Sequence, residues 1–376
     1  MGMEKAWIEM GHKLQLYKKK NDIKIAILSR WNTACGVSLH AELIGKELVK
    51  NGHSLTVFAP NNIRPVGRDE EYVIRCFSDE GEHTKTFFHP APFLDADYEI
   101  LVVERVEWVP LEQLKKIFSE IKKKAKVVYV VHERRLPTNP LFYKFNWDAI
   151  VCFDQRYKEQ WLKRFDEDKI HIIPYPTGHL QNGDKQKARR KLDLPLDKLI
   201  VFSYGWAPEL HIFPVLPALQ ELNKQIPFIY LILADPKYIA ADIQPLNAYE
   251  FIELRYELAS IDRIYTYLHA SDAYLIHKQK EEIRKGEAVV PSAILMCLGA
   301  LTPVITSDTE FVWFFDKEVM KYSNKELLKE LLIKVFKGDK IVNHTLISAE
   351  EYAIKHSPRK IAGEFIKLFE ELLQEV

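Results

Sequence analysis

The chain has 376 residues, a length that corresponds to two or three domains of about 150 residues each. Its 53 Lys and Arg residues balance 53 Asp and Glu residues, and 47% of the chain is hydrophobic, which excludes intrinsic disorder and a generally basic nucleic-acid-binding surface. Its 14 glycines lie at least five positions apart, which excludes the GxGxxG fingerprint, and Asp184 follows Gly178 and Gly183 where a Walker A site requires Lys.

Short apolar runs alternate with amphipathic stretches along the first half of the chain. Apolar residues at helical spacing over 37–48, followed by Gly52, predict a helix between two strands, and a second helix is predicted over 111–124. The predicted strands are 23–28, 54–58, 100–103, 127–131 and 149–153. This alternation predicts an α/β fold with a parallel sheet and helices on both of its faces.

The alternation breaks at residues 174–178 and resumes after a polar, basic stretch. The second half has a predicted helix over 213–225 and predicted strands over 200–203, 228–233, 273–276 and 303–306. We therefore expect two doubly wound domains, 1–175 and 176–358, with an extra helix over 1–22 and a final helix over 359–376. Such sheets bind ligands at the carboxyl ends of their strands, so two facing sheets would enclose a cleft.

Residues 288–307 carry no charge over a length that suits a membrane-spanning helix. Pro291, Gly299 and Pro303 interrupt this stretch, so we expect a buried helix from Pro291 to Gly299 and then a strand. The four cysteines are far apart and the N-terminus lacks an apolar core, which favours a cytoplasmic protein without disulfides.

Residues 35–53, CGVSLHAELIGKELVKNGH, resemble the GGVxxHxxELAxxLxxxGH signature of retaining GT-B glycosyltransferases of family 4, the glycogen-synthase-like group. Further along, His132 follows an apolar strand like that family's central histidine. Residues 268–274 look like its lyxxAD step, and GALTPVITSD at 299–308 is similar to its GxPVVaSD motif. Together these likenesses cover nearly all of residues 24–376.

This resemblance implies the GT-B architecture, in which two Rossmann-like domains face a cleft. It implies a sugar or lipid-linked acceptor on the first domain and a UDP-, GDP- or ADP-linked sugar on the second, with no metal and no cofactor. It also implies that the final helix, 359–376, packs back on the first domain. Basic patches at 18–20 and 122–126 would suit a peripheral membrane contact, although solvated charge is the more common interpretation of such runs.

The chain departs from the family at the donor site. Without a metal, the departing diphosphate needs fixed donors such as Arg, Lys or a helix N-terminus. Trp206 stands where the family has Arg, and His211 or Leu210 where it has Lys. Glu287 lies near the first position of the family's acidic pair, but Ile294 or Leu295 occupies the second, and Cys35 replaces the first glycine of the GG pair.

The candidate site residues follow from these matches and departures. We expect His132 and Glu287 to act in catalysis, with His132 orienting a substrate in the cleft. The expected acceptor-side residues are His40 and Glu104, although a core position for His40 and an exposed loop for Glu104 remain open. The expected donor-binding residues are Gly36, Trp206, His211, Lys278, Lys280 and Ser292. The basic cluster around Lys278 would also fit a solvated loop.

Three functions remain open on this basis. The first is metal-independent sugar transfer from a nucleotide-sugar to a hydroxyl acceptor with retention, in which the departing phosphate takes the acceptor's proton. The second is a GT-B domain that has lost its donor chemistry and binds a carbohydrate or a partner. The third keeps the fold and changes the reaction, for example to an epimerisation.

Overall fold

The computed structural model describes residues 22–82, 85–205, 208–236, 244–278 and 289–374. Nearly all of the helix expected over 1–22 lies outside these ranges. Three of the expected site residues, Trp206, Lys280 and Glu287, also lie outside them.

The first half of the chain forms a seven-stranded parallel sheet in the order β3-β2-β1-β4-β5-β6-β7. Its strands are β1 (Lys24–Leu28), β2 (Ser54–Pro60), β3 (Val73–Phe77), β4 (Ile100–Glu104), β5 (Lys126–Val130), β6 (Ala149–Cys152) and β7 (Ile170–Ile172). The connecting helices are α1 (Gly36–Lys50), α2 (Ala91–Asp95), α3 (Leu111–Lys124) and α4 (Gln155–Trp161). The strand order reverses between β1 and β4, which is where doubly wound sheets bind ligands.

The second half forms a six-stranded parallel sheet in the order β10-β9-β8-β11-β12-β13. Its strands are β8 (Leu199–Tyr204), β9 (Phe228–Ala234), β10 (Ile252–Tyr256), β11 (Ala273–Ile276), β12 (Val304–Ser307) and β13 (Met320–Tyr322). The helices are α5 (Lys185–Lys191), α6 (Pro208–Ile212), α7 (Leu216–Asn223), α8 (Ile261–Ala270), α9 (Ser292–Gly299), α10 (Lys325–Phe336), α11 (Lys340–Lys355) and α12 (Pro358–Gln374). The two parallel sheets confirm the predicted α/β fold.

Short 3-10 turns complete the connections, at Glu80–Glu82, Val106–Trp108, Pro140–Lys144, Glu167–Lys169, Gln244–Ala248 and Glu310–Val312. The buried side chains form one continuous apolar cluster that runs from the first sheet to one face of the second sheet. The other face of the second sheet has its own cluster. The two halves therefore share a core on one side of the molecule.

Helix α9 accounts for the uncharged stretch at 288–307. It begins directly after Pro291, as predicted, and its residues from Ile294 to Gly299 are buried. Strand β12 follows it, so both elements pack inside the second half. Across the described part of the chain, none of the helices combines the length and the apolar character that crossing a membrane requires.

The chain passes between the two halves at two adjacent points, the first crossing at Thr177 and the second at His356. The Thr177 N–H donates to the carbonyl of His356 over 2.9 Å. After the second crossing, α12 packs against α1 of the first half. At the first crossing, the Gly178 N–H donates to the carbonyl of Leu295 in α9 over 3.1 Å, and Gly178 also touches Gly299. Gly178 and Gly299 therefore allow the backbone of the first crossing to lie in contact with the backbone of α9.

Candidate active site

A cavity of about 730 Å³ lies between the carboxyl ends of the two sheets. Its walls include residues that follow β1, β4, β5 and β6 of the first half, and residues that follow β8 to β11 of the second. Sites for small molecules have volumes of roughly 300 to 1,000 Å³, so one ligand of nucleotide-sugar size would fit.

His132, just beyond β5, lies in the wall of this cavity and is mostly buried. Its Nε2 is 3.0 Å from Oε2 of Glu104, the last residue of β4. The other carboxylate oxygen, Oε1, is 3.0 Å from Nδ1 of His40 in α1. Glu104 thus bridges two imidazoles, and we call these three residues the His–Glu–His chain.

The protonation of the His–Glu–His chain follows from its burial. Burial alone raises the pKa of Glu104, but the charge and hydrogen bonds of the two histidines outweigh burial and hold that pKa at about 2. Burial lowers the pKa of His132 below its ordinary value, and the hydrogen bond to Glu104 opposes that shift only in part. Glu104 is therefore ionised at neutral pH, and His132 is neutral.

His40 is fully buried, and its ring lies 5.1 to 5.9 Å from those of His132, Phe153, Tyr175 and Phe365. Its Nε2 has no hydrogen-bond partner within the described ranges. Neither His40 nor Glu104 reaches the cavity wall, although both were expected to contact an acceptor. They lie directly behind His132, because α1 and β4 pack beneath the loop that carries it.

Two helix N-termini from opposite halves meet at the cavity. Gly36 begins α1, Ser292 begins α9, and both residues line the wall. A Cβ on Gly36 would lie 3.0 Å from the Ser292 hydroxyl oxygen, so only glycine allows this approach without displacement. The Tyr175 hydroxyl donates to the Gly36 carbonyl over 2.6 Å and fixes the start of α1. Both N-termini bring positive dipole ends to this place.

A cation from the second half faces the same cavity. Lys278 follows β11, and its ammonium lies 3.3 Å from Nε2 of His211 in α6. The Nδ1 of His211 donates to the carbonyl of His277 over 2.7 Å, which leaves Nε2 as the acceptor for Lys278. Both backbone groups of Lys278 bond the Ser307 hydroxyl, at 2.7 and 2.9 Å. His211 and Lys278, two of the predicted donor-binding residues, thus lie together.

The second position of the family's acidic pair carries no carboxylate. Ile294 and Leu295 are both buried inside α9. This agrees with the departure seen in the sequence.

Arg105, which directly follows β4, lines the cavity although the sequence did not single it out. Its backbone is in the left-handed region at φ +48°, which is costly for a residue other than glycine and frequent at functional sites. Its guanidinium lies 3.5 Å from the centre of the Trp108 ring and pairs with Glu133 at 2.5 Å. All three side chains line the cavity. The signal in the sequence was a charged residue at the end of an apolar strand.

The basic patch at 122–126 makes local contacts. Lys122 pairs with Asp148, Lys123 pairs with Glu120 at 2.8 Å, and the Lys124 ammonium donates to the carbonyl oxygens of Leu94 and Ala96. These contacts favour the interpretation of the patch as a surface that stabilises the first half.

Among the described residues, the His–Glu–His chain is also a group that could hold a metal ion, because its possible ligand atoms lie within 4.8 Å of one another. Three protein ligands are the usual share of a catalytic zinc site. Here, however, each imidazole nitrogen lies 3.0 Å from a separate oxygen of one carboxylate, which is hydrogen-bond geometry. We therefore interpret the three residues as a hydrogen-bonded chain.

No protein-family model matches the chain. Its structure resembles a glycosyltransferase from Rickettsia africae, with a TM-score of 0.65 and 17% identity over 95% of this chain and 100% of that one. The pneumococcal O-GlcNAc transferase GtfA, solved with UDP and GlcNAc, gives 0.66 and 12% identity over 94% and 100%. The Anabaena protein HepE, solved with UDP and glucose, gives 0.63 and 12% over 94% and 100%. The fold is therefore the GT-B fold.

Proposed function

We propose that this chain transfers a sugar from a nucleotide-sugar, linked to UDP, GDP or ADP, to a hydroxyl group of a carbohydrate acceptor. Retention of configuration and independence of metal are part of the proposal, and they rest on the sequence resemblance. One observation carries the proposal. A single cavity between the sheet ends is lined by Lys278, by the residues that begin helices α1 and α9, and by the buried His132.

The donor side is suited to a diphosphate leaving group. Cleavage of a glycosyl phosphate bond leaves negative charge on the phosphate, and fixed donors stabilise that charge in the transition state. The N-termini of α1 and α9 meet at Gly36 and Ser292, and Lys278 faces the same cavity. In this proposal Lys278 supplies the charge that the family obtains from its Arg and Lys.

On the acceptor side, His132 lies in the wall contributed by the first half. It is neutral, so it orients a sugar hydroxyl by hydrogen bonding, and the departing phosphate takes the acceptor's proton. Arg105 and Glu133 lie in the same wall and offer planar polar groups of the kind that bind sugar hydroxyls. The ligands of GtfA and HepE, UDP with a sugar, support the choice of a nucleotide-sugar here.

A second candidate function is binding without transfer. The specific observation in its favour is the pair Ile294 and Leu295, which are buried in α9 where the family has a carboxylate that binds the ribose. A GT-B domain that has lost this contact would bind a carbohydrate or a partner in the same cavity.

Calorimetry and thermal shift with UDP, GDP, ADP and their sugar conjugates test both candidates. Transfer predicts that one nucleotide binds and that its sugar conjugate is slowly hydrolysed when no acceptor is added. Binding of a nucleotide-sugar without turnover against any carbohydrate acceptor would favour the second candidate. If no nucleotide binds at millimolar concentration, the proposed transfer is wrong.

A further inference from the structure

We infer that Glu104 is a positioning residue, which sets the tautomer of His132 so that this histidine presents an unprotonated Nδ1 to a sugar hydroxyl in the cavity. The identity of the substrate, a sugar, rests on the proposed function. The tautomer of His132 rests only on the hydrogen bonds described above.

The tautomer follows from what a carboxylate can do. An ionised carboxylate only accepts hydrogen bonds, so each ring nitrogen that faces Glu104 must carry a hydrogen. That nitrogen is Nε2 in His132 and Nδ1 in His40, each at 3.0 Å from its own carboxylate oxygen. A neutral imidazole has a single N–H group, so Nδ1 of His132 keeps its lone pair.

We place Nδ1 of His132 on the cavity side of its ring. His132 lines the cavity wall, its Nε2 faces Glu104, and its Nδ1 is not among the buried atoms that lack a partner. A ligand therefore meets an acceptor at this place. A sugar hydroxyl satisfies it by donating its hydrogen, whereas an ether oxygen or a deoxy position does not.

His40 holds Glu104 in place. Because Oε1 of Glu104 already accepts from His40, the carboxylate cannot rotate away from His132 without losing a second buried bond. The ring of His40 is itself enclosed by aromatic side chains from the β6 end, the first crossing and α12, namely Phe153, Tyr175 and Phe365. The tautomer of His132 is thus set from the core and does not depend on a bound ligand.

Replacing Glu104 by glutamine would disturb this arrangement. A glutamine amide has one oxygen and one NH2 group, so it can accept from only one of the two histidines. The NH2 group would face the other histidine, whose nitrogen must then lose its hydrogen. Glu104→Gln therefore forces one imidazole to change its tautomer at nearly constant volume. Glu107→Gln is the matched control, because Glu107 contacts the Tyr129 hydroxyl at 3.4 to 3.5 Å and lies outside the cavity wall.

Nitrogen-15 NMR of the histidine rings tests the inference on the full chain without any ligand. We expect a neutral His132 with hydrogen on Nε2 in the wild type and in Glu107→Gln, and a changed tautomer of His132 or His40 in Glu104→Gln. Hydrogen on Nδ1 of His132 in the wild type would overturn the inference. Stoichiometric zinc held by His40 and His132, measured by elemental analysis and lost in Glu104→Gln, would also overturn it.

Calorimetry with UDP and UDP-glucose tests the substrate contact separately. If a donor hydroxyl contacts His132, Glu104→Gln weakens UDP-glucose binding about tenfold, the value of one good hydrogen bond, and leaves UDP binding unchanged. If an acceptor hydroxyl makes the contact, both affinities stay constant and KM for the acceptor rises by a similar factor. Unchanged affinities together with unchanged kinetics, in a variant whose NMR spectrum shows a changed tautomer of His132, would contradict the inference. Failure of UDP and UDP-glucose to bind the wild type would instead count against a uridine donor, and the NMR result would still stand.

The pH profile of transfer gives an independent readout. The charged and titratable groups that act on His132 are Glu104, His40 and Arg105. Removing the Glu104 charge removes a contribution that raises the pKa of His132, so the acid limb of the profile should move to lower pH in Glu104→Gln. An acid limb that does not move in Glu104→Gln would mean that His132 is not the group that limits transfer at low pH, which would contradict its contact with the substrate.

Discussion

Gly36 and Ser292 come from opposite halves of the chain and lie against each other, with no room for a methyl group on Gly36 without displacement of the Ser292 hydroxyl. Each residue begins a helix whose N-terminus reaches the cavity. The contact therefore brings two helix N-termini from the two halves to one place, and an anion such as a phosphate is the ligand that such an arrangement favours.

The first prediction concerns this contact. Gly36→Ala places a Cβ 3.0 Å from Ser292 Oγ, so the Ser292 hydroxyl at the N-terminus of α9 must move by a few tenths of an ångström. We expect the affinity for a nucleoside diphosphate to fall several-fold while the protein remains folded. Gly67→Ala is the control, since its nearest neighbour would be 3.8 Å away. Calorimetry on both variants tests this, and equal affinities would contradict a phosphate role for the contact.

The second prediction concerns Lys278. Lys278→Met keeps most of the length of the side chain and removes its charge, so a diphosphate loses a charge-assisted contact worth about 1.5 to 3 kcal/mol. We expect the affinity for UDP to fall about tenfold or more and that for uridine to stay constant. Lys337→Met, at the exposed C-terminal end of α10, is the matched control. A UDP affinity that survives Lys278→Met would show that the phosphates lie elsewhere.

Hydrophobic periodicity predicted the interior of both sheets but missed their edges. Hydrophobic periodicity did not predict strands β3, β7, β10 and β13, and all four are edge strands. A central parallel strand is buried on both faces and forms a continuous apolar run, whereas an edge strand faces water on one side. Accordingly β3 carries Arg75, and β10 carries Glu253 and Arg255, which interrupt the apolar pattern.

The sequence predicted individual residues of the site but not the contacts between them. The motif and the position after β5 pointed to His132, and the charge near residue 278 pointed to Lys278. The bond between His40 and Glu104 joins residues 64 positions apart, and no pattern in the sequence reports it. The same holds for the pairing of Lys278 with His211, which depends on how α6 packs beside β11.

The third prediction concerns pH. Burial lowers the pKa of His132 below 6.5, so under mildly acidic conditions the unfolded chain binds a proton that the folded chain does not. Stability therefore falls as the pH drops below 6.5, by up to about 1.4 kcal/mol per pH unit for one such group. Glu104 acts in the same direction at lower pH, because its pKa falls from 4.5 to about 2 on folding, so its contribution is present above 4.5 and lost as the pH approaches 2.

Urea unfolding between about pH 7 and pH 5 measures this slope in the wild type and in His132→Gln. Burial also lowers the pKa of other histidines, namely His53, His179, His269 and His356, so the slope should decrease in the variant without vanishing. His344→Gln removes an exposed histidine and should leave the slope unchanged. If the unfolding free energy of the wild type and of His132→Gln changes with pH by the same slope, His132 takes up its proton in the folded chain as readily as in the unfolded chain.

The fourth prediction compares Gly363, which has open space around it, with Gly299, which packs against backbone. Gly363 lies inside α12, and a methyl group on it would meet no heavy atom within 4 Å, so Gly363→Ala should stabilise the protein by about 0.5 to 1 kcal/mol through helix propensity.

Gly299 ends α9, and a Cβ there would lie 2.4 Å from the carbonyl oxygen of Gly178. That neighbour is backbone at the first crossing, which cannot move as a side chain does. Gly299→Ala should therefore destabilise the protein by about 1 to 3 kcal/mol or more. Thermal unfolding should move in opposite directions for the two variants, and a shift of the same sign in both would mean that the crossing is not packed as described.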